Sequence, residues 1–175
     1  MRAEAGQVLH FSEDPTIKRF VPHVAATSAL GTPYVWAVDG DRCQDHWFPR
    51  QCPRVMAWAV DRTAPGEIER IIGAGCGTRV HAIEYAWLRA VIEVRLYAYR
   101  LPAAPFVPMG DPPHAVVAQV AVEPLGPPEP VTDLIELHEE AGIQLRVLDR
   151  LWPFWHQVTA STLEYSGIRL RNARR

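Results

Sequence analysis

Proline is the residue that most limits how this chain can fold. Its ring clashes inside a helix and its missing N–H breaks the ladder of a central strand, so each proline ends an element, starts one or sits at an edge. Sixteen prolines and eleven glycines divide the 175 residues into short segments. That argues against a long helical bundle and for a mixture of short strands and short helices. Apolar residues make up 48% of the chain, enough for a sizeable core in one domain spanning residues 1–175.

Hydrophobic periodicity places the elements. Val8, His10 and Ser12 alternate with Leu9 and Phe11 as in a strand with two unlike faces. Asp14 before Pro15 then reads as the cap of a short helix carrying Ile17 and Phe20 and stopped by Pro22. Residues 24–33 read as a surface loop, and PYVWAVD, starting at Tyr34, as a second strand. The run VMAWAVD from Val55 is apolar on both faces and is predicted to be a central strand. GEIERII reads as a short helix before the glycine-rich turn GAGCG, and RVHAIEYAWL starts with strand alternation and ends with helical spacing. Further strands are expected in VIEVRLYAYRLP, in HAVVAQVAVEP from His114 to Glu123, in IQLRVL and in SGIRLRN; LPAAPFVPMGDPP and GPPEPV read as irregular links. Thr132 is the expected cap of the helix TDLIELHEEAG with Gly142 as its left-handed stop, and Pro153 starts a last helix. The expected class is α+β, with a mixed, largely antiparallel core of about six to eight short strands and three or four short helices.

A formal net charge of −2 supplies no general attraction for nucleic acid or an anionic membrane. No apolar run approaches the roughly 20 residues that span a bilayer. Cys43, Cys52 and Cys76 are odd in number and lack metal-ligand spacing, which fits reduced thiols in a cytoplasm, with Cys52, before Pro53, a candidate for exposure. The expectation is a soluble cytoplasmic protein without a membrane partner, of undetermined oligomeric state.

His10 has two readings: a core histidine satisfied by backbone groups, or a ring presented at a strand end beside a cleft. The pairs Pro49-Arg50 and Pro53-Arg54 keep two guanidinium groups close in the chain, able to hold a phosphate or carboxylate, although a solvated loop is the simpler reading of that segment. His10 with Glu13 and Asp14, or His46 with Asp45, supplies ligand types without a metal-binding spacing, and no metal is predicted. No nucleophile elbow is present. Arg169, Arg171, Arg174 and Arg175 make a basic C-terminus, suited to a solvated strand edge or to a phosphate-bearing partner.

HFSEDP, the following I-x-x-F-x-P, YVWA and WFPRQCPRV, with the ending IRLRNA, resemble a family of uncharacterised bacterial proteins of about this length. At a greater distance the order of elements is similar to the ADP-ribosyltransferase fold. Its His-Tyr-Glu branch places a histidine on the first strand to bind the ribose of NAD, a tyrosine on the second to stack on nicotinamide, and a glutamate on a later strand. The resemblance assigns the first two roles to His10 and Tyr34, with Phe11 and Ser12 beside the cofactor. His114 stands where the glutamate is expected, and Glu123 lies at the other end of that strand. Related phosphotransferases acting on RNA hold phosphate with arginines, which the resemblance carries to Arg50 or Arg54. It implies an NAD- or nucleotide-binding protein that lacks the carboxylate on which transfer depends. Two other readings stand beside it: an interaction domain in which His10 is structural and the aromatic WFPR segment meets a partner, and a metal-assisted hydrolase built on His10 and nearby acids.

Overall fold

Ten short strands and four short α-helices are found among the described residues of the computed structural model, which are 1–24, 31–75 and 77–175. Most of the segment read as a surface loop, and Cys76, lie outside them. The elements gather into two compact units, residues 1–47 with 95–132, and residues 48–94 with 133–175. All strand pairs are antiparallel except one, so the fold is the mixed, largely antiparallel α+β class expected. No helix among the described residues is long and apolar enough to cross a membrane.

The first unit has two three-stranded sheets. In one, β1 (Gln7–Ser12) pairs with β5 (Leu96–Pro102), which pairs with β8 (Glu129–Val131). In the other, β2 (Val35–Ala37) pairs with β7 (Ala115–Ala118), which pairs with β6 (Val107–Met109). A bridge of two hydrogen bonds between Leu9 and Val38 joins β1 to the end of β2. Val8, Phe20, Val35, Ala37, Tyr99 and Leu101 form the main apolar cluster. β6 and β8 fall in stretches read as irregular because Pro108 and Pro130 lie inside them. Each is the edge strand of its sheet, where a missing N–H breaks no inner ladder.

The helix expected after Asp14 does not form. Its carboxylate accepts the amide of Thr16 at 2.8 Å and the Thr16 hydroxyl at 2.6 Å, closing a local turn that competes with a helical start. Those two bonds, hydroxyl first, hold the Asp14 carboxyl below its usual range.

The second unit is one four-stranded sheet in the order β10 (Glu164–Ile168), β3 (Arg54–Trp58), β4 (Arg79–Glu84), β9 (Ile143–Leu148), with β4 and β9 parallel. The two-sided apolar run becomes β3 and occupies an inner position, as its pattern predicts. Val55 and Ala57 of β3 and Val80 and Ala82 of β4 pack with Leu151, Phe154 and Val158 of α4 (Leu151–Thr159). The helical part of the ambiguous run is α2 (Tyr85–Glu93), and GEIERII starts as α1 (Pro65–Glu67) and winds on as a π turn, Ile68–Ile72. α3 (Leu134–Glu140) is capped by Asp133 instead of Thr132: Asp133 adopts a left-handed backbone, φ 46°, and accepts from the Glu136 amide at 3.0 Å. SGIRLRN stays in the sheet only to Ile168.

Gly77 in the glycine-rich turn is held at φ +72°, and a Cβ built there would lie 2.7 Å from the carbonyl oxygen of Gly142, the left-handed residue after α3. A backbone neighbour cannot swing away as a side chain can. Gly77→Ala is therefore expected to cost about 2–4 kcal/mol, from left-handed strain plus overpacking. Equilibrium denaturation measures this; a loss below about 0.5 kcal/mol would mean that the turn relaxes at little cost.

Candidate functional site

In the first unit, pairing of β1 with β5 sets His10 opposite Tyr99. His10 is half-buried, and its Nδ1 lies 2.8 Å from the carbonyl oxygen of Trp36 on β2. A carbonyl only accepts, so Nδ1 carries the proton and donates it, and in the neutral ring Nε2 is then the acceptor. Phe20 packs against the imidazole with centroids 4.6 Å apart, and meets Tyr99 edge-on at 5.2 Å. The Tyr99 hydroxyl donates to the Asp14 carbonyl at 2.6 Å and accepts the Ile17 amide at 3.1 Å, fixing the turn that follows β1. The ring is thus fixed by the Trp36 backbone at Nδ1 and packed against the buried ring of Phe20.

The other predicted positions are placed differently. Tyr34 precedes β2, pairs with His23 and meets the ring of Trp36 edge-on at 6.0 Å. Val35 and Ala37, which alternate with Tyr34 and Trp36, belong to the apolar cluster that holds Val8 and Phe20. What meets His10 is therefore the backbone of Trp36, and the ring of Tyr34 lies along the opposite side of β2. The Trp36 indole Nε1 is buried and lacks a hydrogen-bond partner. His114 is exposed on the turn between β6 and β7. Ala37 pairs with Val116 and Val35 with Ala118, so continuing the register puts His114 beside Asp39, at the end of β2 away from Tyr34. Along a strand these ends are roughly 16 Å apart. β7 itself offers four buried apolar residues and no carboxylate. Phe11 stacks on His46 at 6.5 Å, and Ser12 is buried, accepting the Asp14 amide at 3.1 Å.

The WFPRQCPRV segment, in the second unit from Phe48 onward, is not a solvated loop. Trp47 and Phe48 are each 2% exposed, and Arg54 is 3% exposed, its guanidinium donating to the Cys52 carbonyl at 3.0 Å and lying 5.1 Å from the Phe48 ring centre. The aromatic residues fill core and cannot form an exposed partner surface. Arg50 is exposed while Arg54 is buried, so the two guanidinium groups face different surroundings. Cys52 is buried too, and burial pushes its thiol up to about 12; Cys43, in the first unit, is pushed up to about 11 for the same reason. Among the described residues no three His, Cys, Asp or Glu side chains are grouped to hold a metal ion.

A second polar cluster went unread in the sequence. On the face of β3 and β4 away from α4, Met56 pairs with His81 and Trp58 with Arg79, whose guanidinium stacks 4.5 Å over the indole. His138, from α3, lies 3.0 Å from His81. Both rings are essentially inaccessible to solvent. The tautomers can be assigned from the partners. Arg79 Nε donates to His81 Nε2 at 2.9 Å, so His81 must carry its proton on Nδ1 and donate to His138 Nε2; His138 then donates from Nδ1 to the Leu134 carbonyl. Burial, and after it the charges of His138, Arg79 and Arg54, holds His81 well below the usual histidine range; burial also lowers His138. Every ring nitrogen is used inside the protein, so this pair orders the core and offers nothing to a substrate. Its only sequence sign is that His138 stands four residues after Leu134, on the buried side of α3.

The model of a family of unknown function, DUF6886, matches residues 9–173. The chain belongs to that family. The match to DUF6886 takes in β1 with His10, both units and the C-terminal turn. No curated protein and no solved structure matches the chain.

Proposed function

We propose that this member of the DUF6886 family binds a nucleotide of the NAD class through His10, in an ADP-ribosyltransferase-like manner, and that binding without transfer is its activity. The observation that carries the reading is the hydrogen bond from His10 Nδ1 to the Trp36 carbonyl, which fixes on the first strand the histidine that the resemblance assigns to the ribose. Transfer is set aside on chemistry: a developing oxocarbenium ion needs a fixed negative charge, and β7 is Ala-Val-Val-Ala throughout.

Calorimetric titration with NAD and with ADP-ribose tests this. Saturable binding is expected, weakened by about tenfold or more in His10→Ala, the loss expected for one well-placed hydrogen bond to a desolvated ligand. Binding of neither compound, or binding equally tight in the variant, would overturn the reading.

A further inference from the structure

β10 ends the order of its four-stranded sheet. One side of it pairs with β3, and among the described residues no strand pairs with the other. Beyond Ile168 the chain leaves this edge: Arg169 adopts a left-handed backbone, φ 57°, and Leu170–Asn172 form a single 3-10 turn. Arg169 Nε then donates to the Arg50 carbonyl at 3.3 Å and the Asn172 amide to the Gln51 carbonyl at 2.8 Å, which draws the segment toward the stretch before β3. An open edge invites pairing with another chain, and proteins blunt such edges with proline or charge. β6 and β8 carry Pro108 and Pro130, and β9, at the other end of the same sheet as β10, carries Arg146. β10 has neither device inside it, since its carboxylate, Glu164, is its first residue and is paired with Arg62.

What the edge presents instead is aromatic. Tyr165 pairs with Ala57 and Gly167 with Val55, on the side of the sheet that packs against α4. Trp155 of α4 lies on Gly167, where a Cβ would come 2.7 Å from the indole, and meets the Tyr165 ring edge-on at 5.4 Å. Tyr165 is nonetheless 41% exposed.

We propose that β10 is the surface through which two copies of this chain pair, antiparallel, about a two-fold axis at Ser166. Only that register pairs every residue of the strand. It sets Ser166 against the partner's Ser166, hydroxyl to hydroxyl, and Tyr165 against the partner's Gly167. Gly167 has no side chain of its own, so Tyr165 meets the partner's Trp155 lying on it, and the rings of both copies join in one apolar seam. A foreign strand would need its own aromatic residue and its own glycine two positions apart. A second copy supplies both.

Sedimentation equilibrium of the full chain over a range of concentrations tests this, and a monomer–dimer equilibrium is expected. Ser166→Asp sets two carboxylates against each other at the axis and is expected to weaken the dimer by about tenfold or more, as is Ser166→Lys with its two ammonium groups. Mixing the two variants puts opposite charges there and is expected to restore the dimer, which unfolding of either variant could not do. Tyr165→Ser alters a side chain exposed in the single chain and is expected to weaken the dimer by about tenfold. Circular dichroism checks the fold of each variant. A native chain that stays monomeric up to about 1 mM would overturn the proposal and leave the edge to a strand from another protein. A dimer of native tightness in Tyr165→Ser would overturn it too, as would a mixture of the folded charge variants no tighter than either alone.

Discussion

Glu84→Ala is expected to destabilise the second unit by about 3–5 kcal/mol. Glu84 ends β4 and is 2% exposed. Its carboxylate accepts the amide of Leu151 at 3.0 Å and shares the amide of Arg174 between its oxygens at 3.1 and 3.0 Å. Leu151 is the first residue of α4, whose N-cap, Arg150, supplies no side-chain acceptor. Glu84 therefore caps a helix 67 residues later in the chain, with its negative charge at the positive end of the helix dipole. Alanine would leave two backbone N–H groups without acceptors and open a small void beside them. Chemical denaturation followed by tryptophan fluorescence gives the loss. Glu84→Gln keeps an acceptor oxygen and should cost less than the alanine; equal losses would show that packing, and not capping, is what Glu84 supplies.

Acidification should weaken the fold through His81 and His138. Both are held neutral, with folded-state pKa values below the ordinary value of 6.5. Above that value neither the folded nor the unfolded histidines bind protons, and the stability is fully present. As pH falls below it, the unfolded chain takes up protons that the buried pair refuses, and stability is lost until the depressed folded-state values are passed. The slope is roughly 1.4 kcal/mol per pH unit for each histidine. A protonated His81 would point an N–H at the Arg79 donor, so the refusal follows from the bond order as well as from burial. Arg54 from β3 and Arg79 from β4 add positive charge around His81. Urea midpoints measured from about pH 7 to about pH 5 should fall in the native chain and fall less steeply in His81→Leu/His138→Leu, whatever that variant's absolute stability. Equal slopes would mean that other groups set the acid response.

How much of this could be read beforehand depends on how far apart in the chain the partners lie. The alternation around His10, the two-sided apolar run of β3, the helix 134–140 with Gly142 after it, and the class of fold all follow from residues within a few positions of one another, where periodicity and turn chemistry act. Even locally, competing patterns decide: Asp14 bonds to Thr16 and the expected helix gives way to a turn. β6 and β8 were hidden because a proline's tolerance in a strand depends on whether that strand is an edge, which only the sheet order settles.

The sites divide the same way. That His10 lies on a strand was visible; that the Trp36 carbonyl, 26 residues away, would choose its tautomer was not. The pairing of His81 with His138 across 57 residues, the capping of α4 by Glu84, and the joining of Arg50 to Arg169 across 119 residues have no local signature. The sequence by itself determined the strand around His10, the inner strand β3, the helix 134–140 and which of their faces are apolar. Only the tertiary structure decided which polar groups meet, because a buried donor or acceptor takes whatever partner the packing of distant elements brings within reach.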